Sequence, residues 1–110
     1  MRSVGIDGVS IWTGKLKLDL PETFAAVKGE DPEKYTKGLG LHASSLPDAH
    51  EDIVTMGANA AHRLMKQKGL TPEDIGRIDV ATESAFDNSK PVSTYIAGCL
   101  EQVYDEDFHH

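Results

Sequence analysis

Between Glu51 and Lys68 the chain carries a helical pattern whose packed side has almost no bulk. Ile53, Gly57, Ala60, Ala61, Leu64 and Lys68 share that side, and Gly69 supplies the stop. A face of glycine and alanine gains contact only if its neighbour approaches closely, so the spacing predicts a helix at the centre of its fold. The run Ile78-Asp79-Val80-Ala81-Thr82 downstream reads as a short strand covered on both faces. After a polar loop, Pro91 opens a second helix with Val92, Tyr95, Ile96, Cys99, Leu100 and Val103 on one apolar face.

The first element, Ser3 to Trp12, has Val4 and Ile6 on one phase and Val9 and Ile11 on the other. Gly8 marks the change, as at a bulge within a strand. Leu16, Leu18 and Leu20 then alternate with Lys15, Lys17 and Asp19 in an amphipathic extended stretch. Pro21 opens a short helical segment that stops at Gly29. Asp31-Pro32 starts another, which Gly38 and Gly40 end before a loop running through Pro47. Thr71-Pro72-Glu73-Asp74-Ile75 is one capped turn. The order strand, helices, long helix, strand, helix is an α/β crossover layout in which the strands at 3–12 and 78–82 pair in parallel. Two such strands leave sheet edges unpaired, and Tyr104 to His110 adds no closing element. The chain is therefore expected to be truncated.

Its 110 residues amount to one domain or part of one, able to bury roughly two-thirds of the unfolded surface. The net charge of −7 argues against nonspecific binding to nucleic acid or an anionic membrane, and it matches salt-adapted proteins. No apolar run reaches membrane-spanning length, and the start lacks a signal-peptide core. A single cysteine, Cys99, excludes an internal disulfide framework and fits a reducing cytoplasm.

Glu83 follows the second strand directly. Ligands of open α/β units collect at the carboxyl ends of their strands, where a desolvated carboxylate can act as a base. Position alone favours a strand-end acid pointing into water. Cys99 lies mid-helix among apolar neighbours, where a thiol is inert. His42, His50, His62, His109 and His110 show no zinc-ligand spacing with cysteine or carboxylate support, so no metal site is expected. The terminal pair fits natural sequence or a tag equally. Gly38 and Gly40 lack the preceding strand that a dinucleotide-type phosphate loop requires.

Three segments occur in order: Asp31-Pro32-Glu33-Lys34-Tyr35-Thr36-Lys37-Gly38-Leu39-Gly40, Glu51-Asp52-Ile53-Val54-Thr55-Met56-Gly57-Ala58-Asn59-Ala60-Ala61 and Val80-Ala81-Thr82-Glu83-Ser84-Ala85. Together with Val4-Gly5-Ile6-Asp7-Gly8, they resemble the N-terminal part of the hydroxymethylglutaryl-CoA synthase family, in an archaeal and haloarchaeal form. The resemblance runs from Ser3 to about Leu100. It implies an α/β thiolase fold, of which residues 1–110 are the incomplete first half, truncated before the catalytic cysteine.

It also implies a transferase of the mevalonate pathway and isoprenoid biosynthesis that condenses acetyl-CoA with acetoacetyl-CoA through a cysteine, a glutamate and a histidine. Glu83 falls on the glutamate, which takes a proton from the methyl of the acetyl-enzyme thioester. Such a weak carbon acid calls for a base of raised pKa held against the carbon. Asp31 and Pro32 fall on positions that touch the acyl-CoA, and Lys34 and Lys37 are either phosphate contacts or solvated side chains. No cofactor is expected, since both acyl-CoAs are substrates. The expected partners are a second copy of the full-length chain and, as a complex, acetoacetyl-CoA thiolase. With cysteine and histidine both beyond residue 110, the chain alone is expected to be inactive. Two other readings stand beside this one: a ketoacyl-synthase-like condensing enzyme, and a non-catalytic thiolase-fold interaction module.

Overall fold

A computed structural model describes residues 2–85 and 87–105; the His109-His110 pair lies outside them. The chain divides into two compact units, residues 13–51 and residues 1–12 with 52–110.

In the first unit, β1 (Leu16–Asp19) pairs antiparallel with β2 (Ala43–Leu46), Leu16 opposite Leu46 and Asp19 opposite Ala43. The alternating leucines predicted β1. Its partner lies in the stretch expected to be loop, because Ala43-Ser44-Ser45-Leu46 has no apolar alternation to announce a strand. At the open end of the pair, Gly14 passes so close to the Leu46 backbone that no side chain fits. Ser45 Oγ donates to the Gly14 carbonyl at 3.1 Å. Glu51 Oε1 accepts from the backbone N–H of Lys15 (2.7 Å) and of Asp48 (3.0 Å), tying the two ends of the unit together.

Asp19 turns the chain into helix by accepting from the N–H groups of Glu22 and Thr23. A wide turn, Leu20–Phe24, runs into α1 (Ala25–Lys28), which Gly29 closes at φ 67° as the sequence predicts. Leu20, Ala25 and Tyr35 form this unit's small buried core, and Phe24 meets the Tyr35 ring edge-on at 5.8 Å.

The second unit is built on α2 (Ile53–Lys68) and α3 (Val92–Tyr104). Asp52 and Thr55 form a reciprocal cap at the start of α2, and Gly69 ends it at φ 66°. The core is Val54, Met65, Val92, Ile96 and Leu100. The fully buried stripe of α2 therefore runs along Val54 and Met65, rotated from the predicted side. The small face does its expected work beside that stripe. A Cβ on Gly57 would lie 2.6 Å from Ile96 Cδ1, so the absence of a side chain lets the two helices approach. On α3, Val92, Ile96 and Leu100 are buried as their spacing predicts, whereas Val103 is 59% exposed.

The expected parallel pair of strands is not formed among the described residues, where β1 and β2 make the only sheet. Among the described residues the backbone at 3–12 and 78–82 has no ladder partner. Both phases of the N-terminal segment face solvent, with Val4 96%, Ile6 90% and Val9 74% exposed. Side chains of α2 hold this segment instead. Arg63 Nη1 donates to the Ile11 carbonyl at 2.7 Å and its guanidinium lies 4.7 Å from the centre of the Trp12 ring. Lys68 pairs with Asp7 at 3.7 Å and packs against Gly8, which explains the glycine better than a bulge does.

Gly57 yields a stability test. Alanine there gains about 1 kcal/mol of helix propensity but must displace the tip of Ile96, so Gly57→Ala should change stability by less than ~1 kcal/mol. Gly57→Leu overfills the seam and should cost roughly 1–3 kcal/mol. Urea-unfolding midpoints of the two variants check both values.

Candidate functional site

Ile78 and Val80 pack against the Val54–Leu100 core, while the residues between and after them are exposed. Asp79 pairs with the Arg77 guanidinium at 2.9 Å. Residues 81–85 are all exposed, Glu83 among them. The strand expected to be covered on both faces is thus covered on one, and the burial that the sequence reading requires of Glu83 is absent in this chain. A local turn shapes the backbone there, with the Ser84 N–H donating to Thr82 Oγ1 at 3.0 Å. Thr82 and Ala85, on either side of Glu83, line a shallow hollow with Asp87, Ser89 and Lys90.

Asp87 organises the far side of this loop, and the sequence reading missed it. Its Oδ1 accepts from the N–H groups of Ser89 (2.8 Å) and Lys90 (3.2 Å), and its Oδ2 accepts from the Tyr95 hydroxyl at 2.7 Å. The Lys90 ammonium sits 4.2 Å from the centre of the same tyrosine ring. The Ser89 N–H, then the Tyr95 hydroxyl and the Lys90 N–H, hold the Asp87 carboxyl below its ordinary value. The reciprocal bond to Asp87 raises Tyr95. The signal was legible in principle: an Asp two and three residues before two free N–H groups, just ahead of a helix, is an Asx turn.

Asp31 and Pro32 lie in the other unit, and both are exposed. Asp31 Oδ1 accepts from the Glu33 N–H at 2.9 Å, and its carbonyl from Lys34 at 3.1 Å. The Pro32 carbonyl accepts from Tyr35 at 3.1 Å. Buried Tyr35 donates its hydroxyl to Glu30. That bond first, and the Lys34 ammonium second, lower the Glu30 carboxyl. Lys34 reaches Glu30 at 3.1 Å and Lys37 reaches Glu33 at 2.8 Å, both one helical turn away. Each lysine therefore has a carboxylate partner, in exposed pairs that solvent screens. Such pairs are cheap to open for a stronger anion.

Cys99 is half-buried on α3 and packs against the core, as its position in the helix predicts. His62 stacks edge-on against Tyr104 at 5.6 Å. Among the described residues no group of three His, Cys, Asp or Glu side chains could hold a metal ion. None of their helices is long and apolar enough to cross a membrane.

Asp87 gives this site a pH signature. Its carboxyl is lowered on folding from an ordinary 3.8, so the unfolded chain binds that proton more readily than the folded one. Its contribution is complete above pH 3.8 and disappears as the pH falls through the lower folded value. Asp87→Asn should therefore be less stable than the parent at pH 7, with the gap narrowing as the pH drops below 3.8. Melting temperatures of both proteins across that range check the sign.

Comparison with known proteins places these elements. The family model described as hydroxymethylglutaryl-coenzyme A synthase N terminal matches residues 1–109. Over all 110 residues the chain is 84% identical to hydroxymethylglutaryl-CoA synthase of Haloferax volcanii, covering 25% of that protein. It is 38% identical over 80 residues, 73% of the chain, to the synthase of Picrophilus torridus, covering 23% of it. A solved structure of MvaS in complex with 3-hydroxy-3-methylglutaryl coenzyme A superposes with a TM-score of 0.79 at 37% identity, over 88% of this chain and 23% of that one. A crystal structure of HMG-CoA synthase complexed with CoA gives 0.68 at 31% identity, over 96% and 27%. The chain spans about a quarter of the length of the curated relatives it matches.

Proposed function

The chain belongs to the hydroxymethylglutaryl-CoA synthase family, in its N-terminal part, and on that premise we propose that it supplies the general base for the condensation of acetyl-CoA with acetoacetyl-CoA. The carrying observation is the 84% identity to a synthase along every residue of the chain. In this reading a cysteine from the rest of the synthase carries the acetyl group as a thioester. Glu83 removes a proton from its methyl, and the resulting carbon nucleophile attacks the ketone of acetoacetyl-CoA. Hydrolysis of the thioester then releases 3-hydroxy-3-methylglutaryl-CoA. Glu83 lies in the exposed loop between the Val80 segment and α3, so a substrate has access to it. The water exclusion that strengthens a base comes with the rest of the protein and the bound acyl-CoA.

Asp31 and Pro32 belong, in the same proposal, to the acyl-CoA pocket. Their turn is held by its own backbone bonds, which leaves the outer surface free for a ligand. Lys34 and Lys37 join the pocket only by giving up Glu30 and Glu33. The reaction needs no cofactor and no metal, because thioester and ketone supply both electrophiles. The working enzyme is proposed to be a cytoplasmic homodimer of the mevalonate pathway, adapted to salt through its acidic surface and able to associate with acetoacetyl-CoA thiolase.

In the full-length synthase, Glu83→Gln should leave acetylation of the cysteine by labelled acetyl-CoA intact and slow condensation by about 10²-fold or more. Loss of acetylation with condensation preserved would remove Glu83 from the role of base. Residues 1–110 alone should take up no covalent acetyl and form no product. A stoichiometric acetyl on Cys99 would instead make this chain a compact enzyme.

A further inference from the structure

Among the described residues, the loop that carries Glu83 is tied to α3 through Asp87. Upstream, Ile78 and Val80 rest on the core through side chains alone, with no ladder among the described residues. Downstream, Asp87 gathers two loop N–H groups and presents its second oxygen to Tyr95. Tyr95 is a residue of α3, next to Ile96, which is 3% exposed and seated against Gly57 of α2. The tyrosine thus sits next to the residue that packs α3 against α2. The same ring lies under the Lys90 ammonium, so one side chain grips the loop through its hydroxyl and through its face.

We propose that Tyr95 is a positioning residue for the condensation step, holding residues 87–90 through Asp87 and Lys90 so that Glu83, four residues before Asp87, meets the acetyl methyl in a fixed geometry. The inference rests on the reading of Glu83 as the base. In this proposal Tyr95 acts through Asp87 and takes no catalytic role itself. Two observations support a latch over mere packing. The hydroxyl is spent on a carboxylate that has already ordered the loop backbone, so the bond transmits position from helix to loop. The shifts of the two groups in opposite directions, Asp87 lowered and Tyr95 raised, are those of an ionised carboxylate accepting from a phenol. Proton abstraction from carbon is sensitive to displacement of the base, because the reacting atoms must lie in near-attack contact.

The test is Tyr95→Phe in the full-length synthase, with the two half-reactions measured separately. Phenylalanine keeps the aromatic ring and removes the hydroxyl that donates to Asp87. The amplitude of enzyme acetylation by labelled acetyl-CoA counts correctly folded sites, so a folding defect lowers it and is corrected for. The expected result is unchanged acetylation rate and KM for acetyl-CoA, with condensation per acetylated site slowed by about tenfold or more. Equal slowing of both half-reactions, or condensation per acetylated site at the parental rate, would overturn the latch. Glu83→Gln run alongside separates the two claims. If that variant condenses normally, the reading of Glu83 has failed; if it does not condense and Tyr95→Phe does so at full rate, only the latch has failed.

Discussion

The close approach of α3 to α2 at Gly57 and Ile96 is the contact on which the functional part of this chain depends. A bulkier side chain at that point would overfill the seam between α2 and α3. Ile96, Leu100 and Val92 on one helix, and Val54 and Met65 on the other, fill the seam on either side of the glycine. Burial of these five side chains fixes where α3 begins, and the start of α3 is where the 82–91 loop is anchored.

Charge has a different part in the two units. Around Glu30, Tyr35 and Lys34 a buried ring donates to a carboxylate that also attracts an ammonium, which stabilises one turn of the first unit. Around Asp87 the carboxylate collects backbone N–H groups before it meets Tyr95, so it organises a loop. Both arrangements lower an acid and raise a tyrosine. Only the second sits beside a residue that family membership makes a candidate for chemistry.

The site was legible where chemistry is local and illegible where it depends on neighbours. Glu83 is singled out by the family resemblance of its segment, because position alone favours an acid pointing into water. Its burial could not be read there, since desolvation is supplied by surfaces outside residues 78–85. Asp87 escaped notice because Asx turns are common, and its weight comes from the Tyr95 hydroxyl eight residues on. The lysines of the Asp31 segment were open to two readings, and ion pairing with Glu30 and Glu33 shows how each is engaged in this chain.

The amino-acid sequence by itself determined the helices, their caps and the tight contact. Asp52 with Thr55, the glycines at 29 and 69, and the apolar spacing of α3 act within a few residues of themselves, so local sterics and hydrogen bonding are enough. Tertiary structure alone decided which extended segments became strands. Ala43–Leu46 became β2 because the Leu16–Asp19 backbone was there to pair with it, despite a weak pattern of its own. The segments at 3–12 and 78–82 have the stronger strand pattern yet form no ladder among the described residues. A strand exists only where a neighbouring backbone satisfies its N–H and C=O groups, and that neighbour is not encoded in the strand.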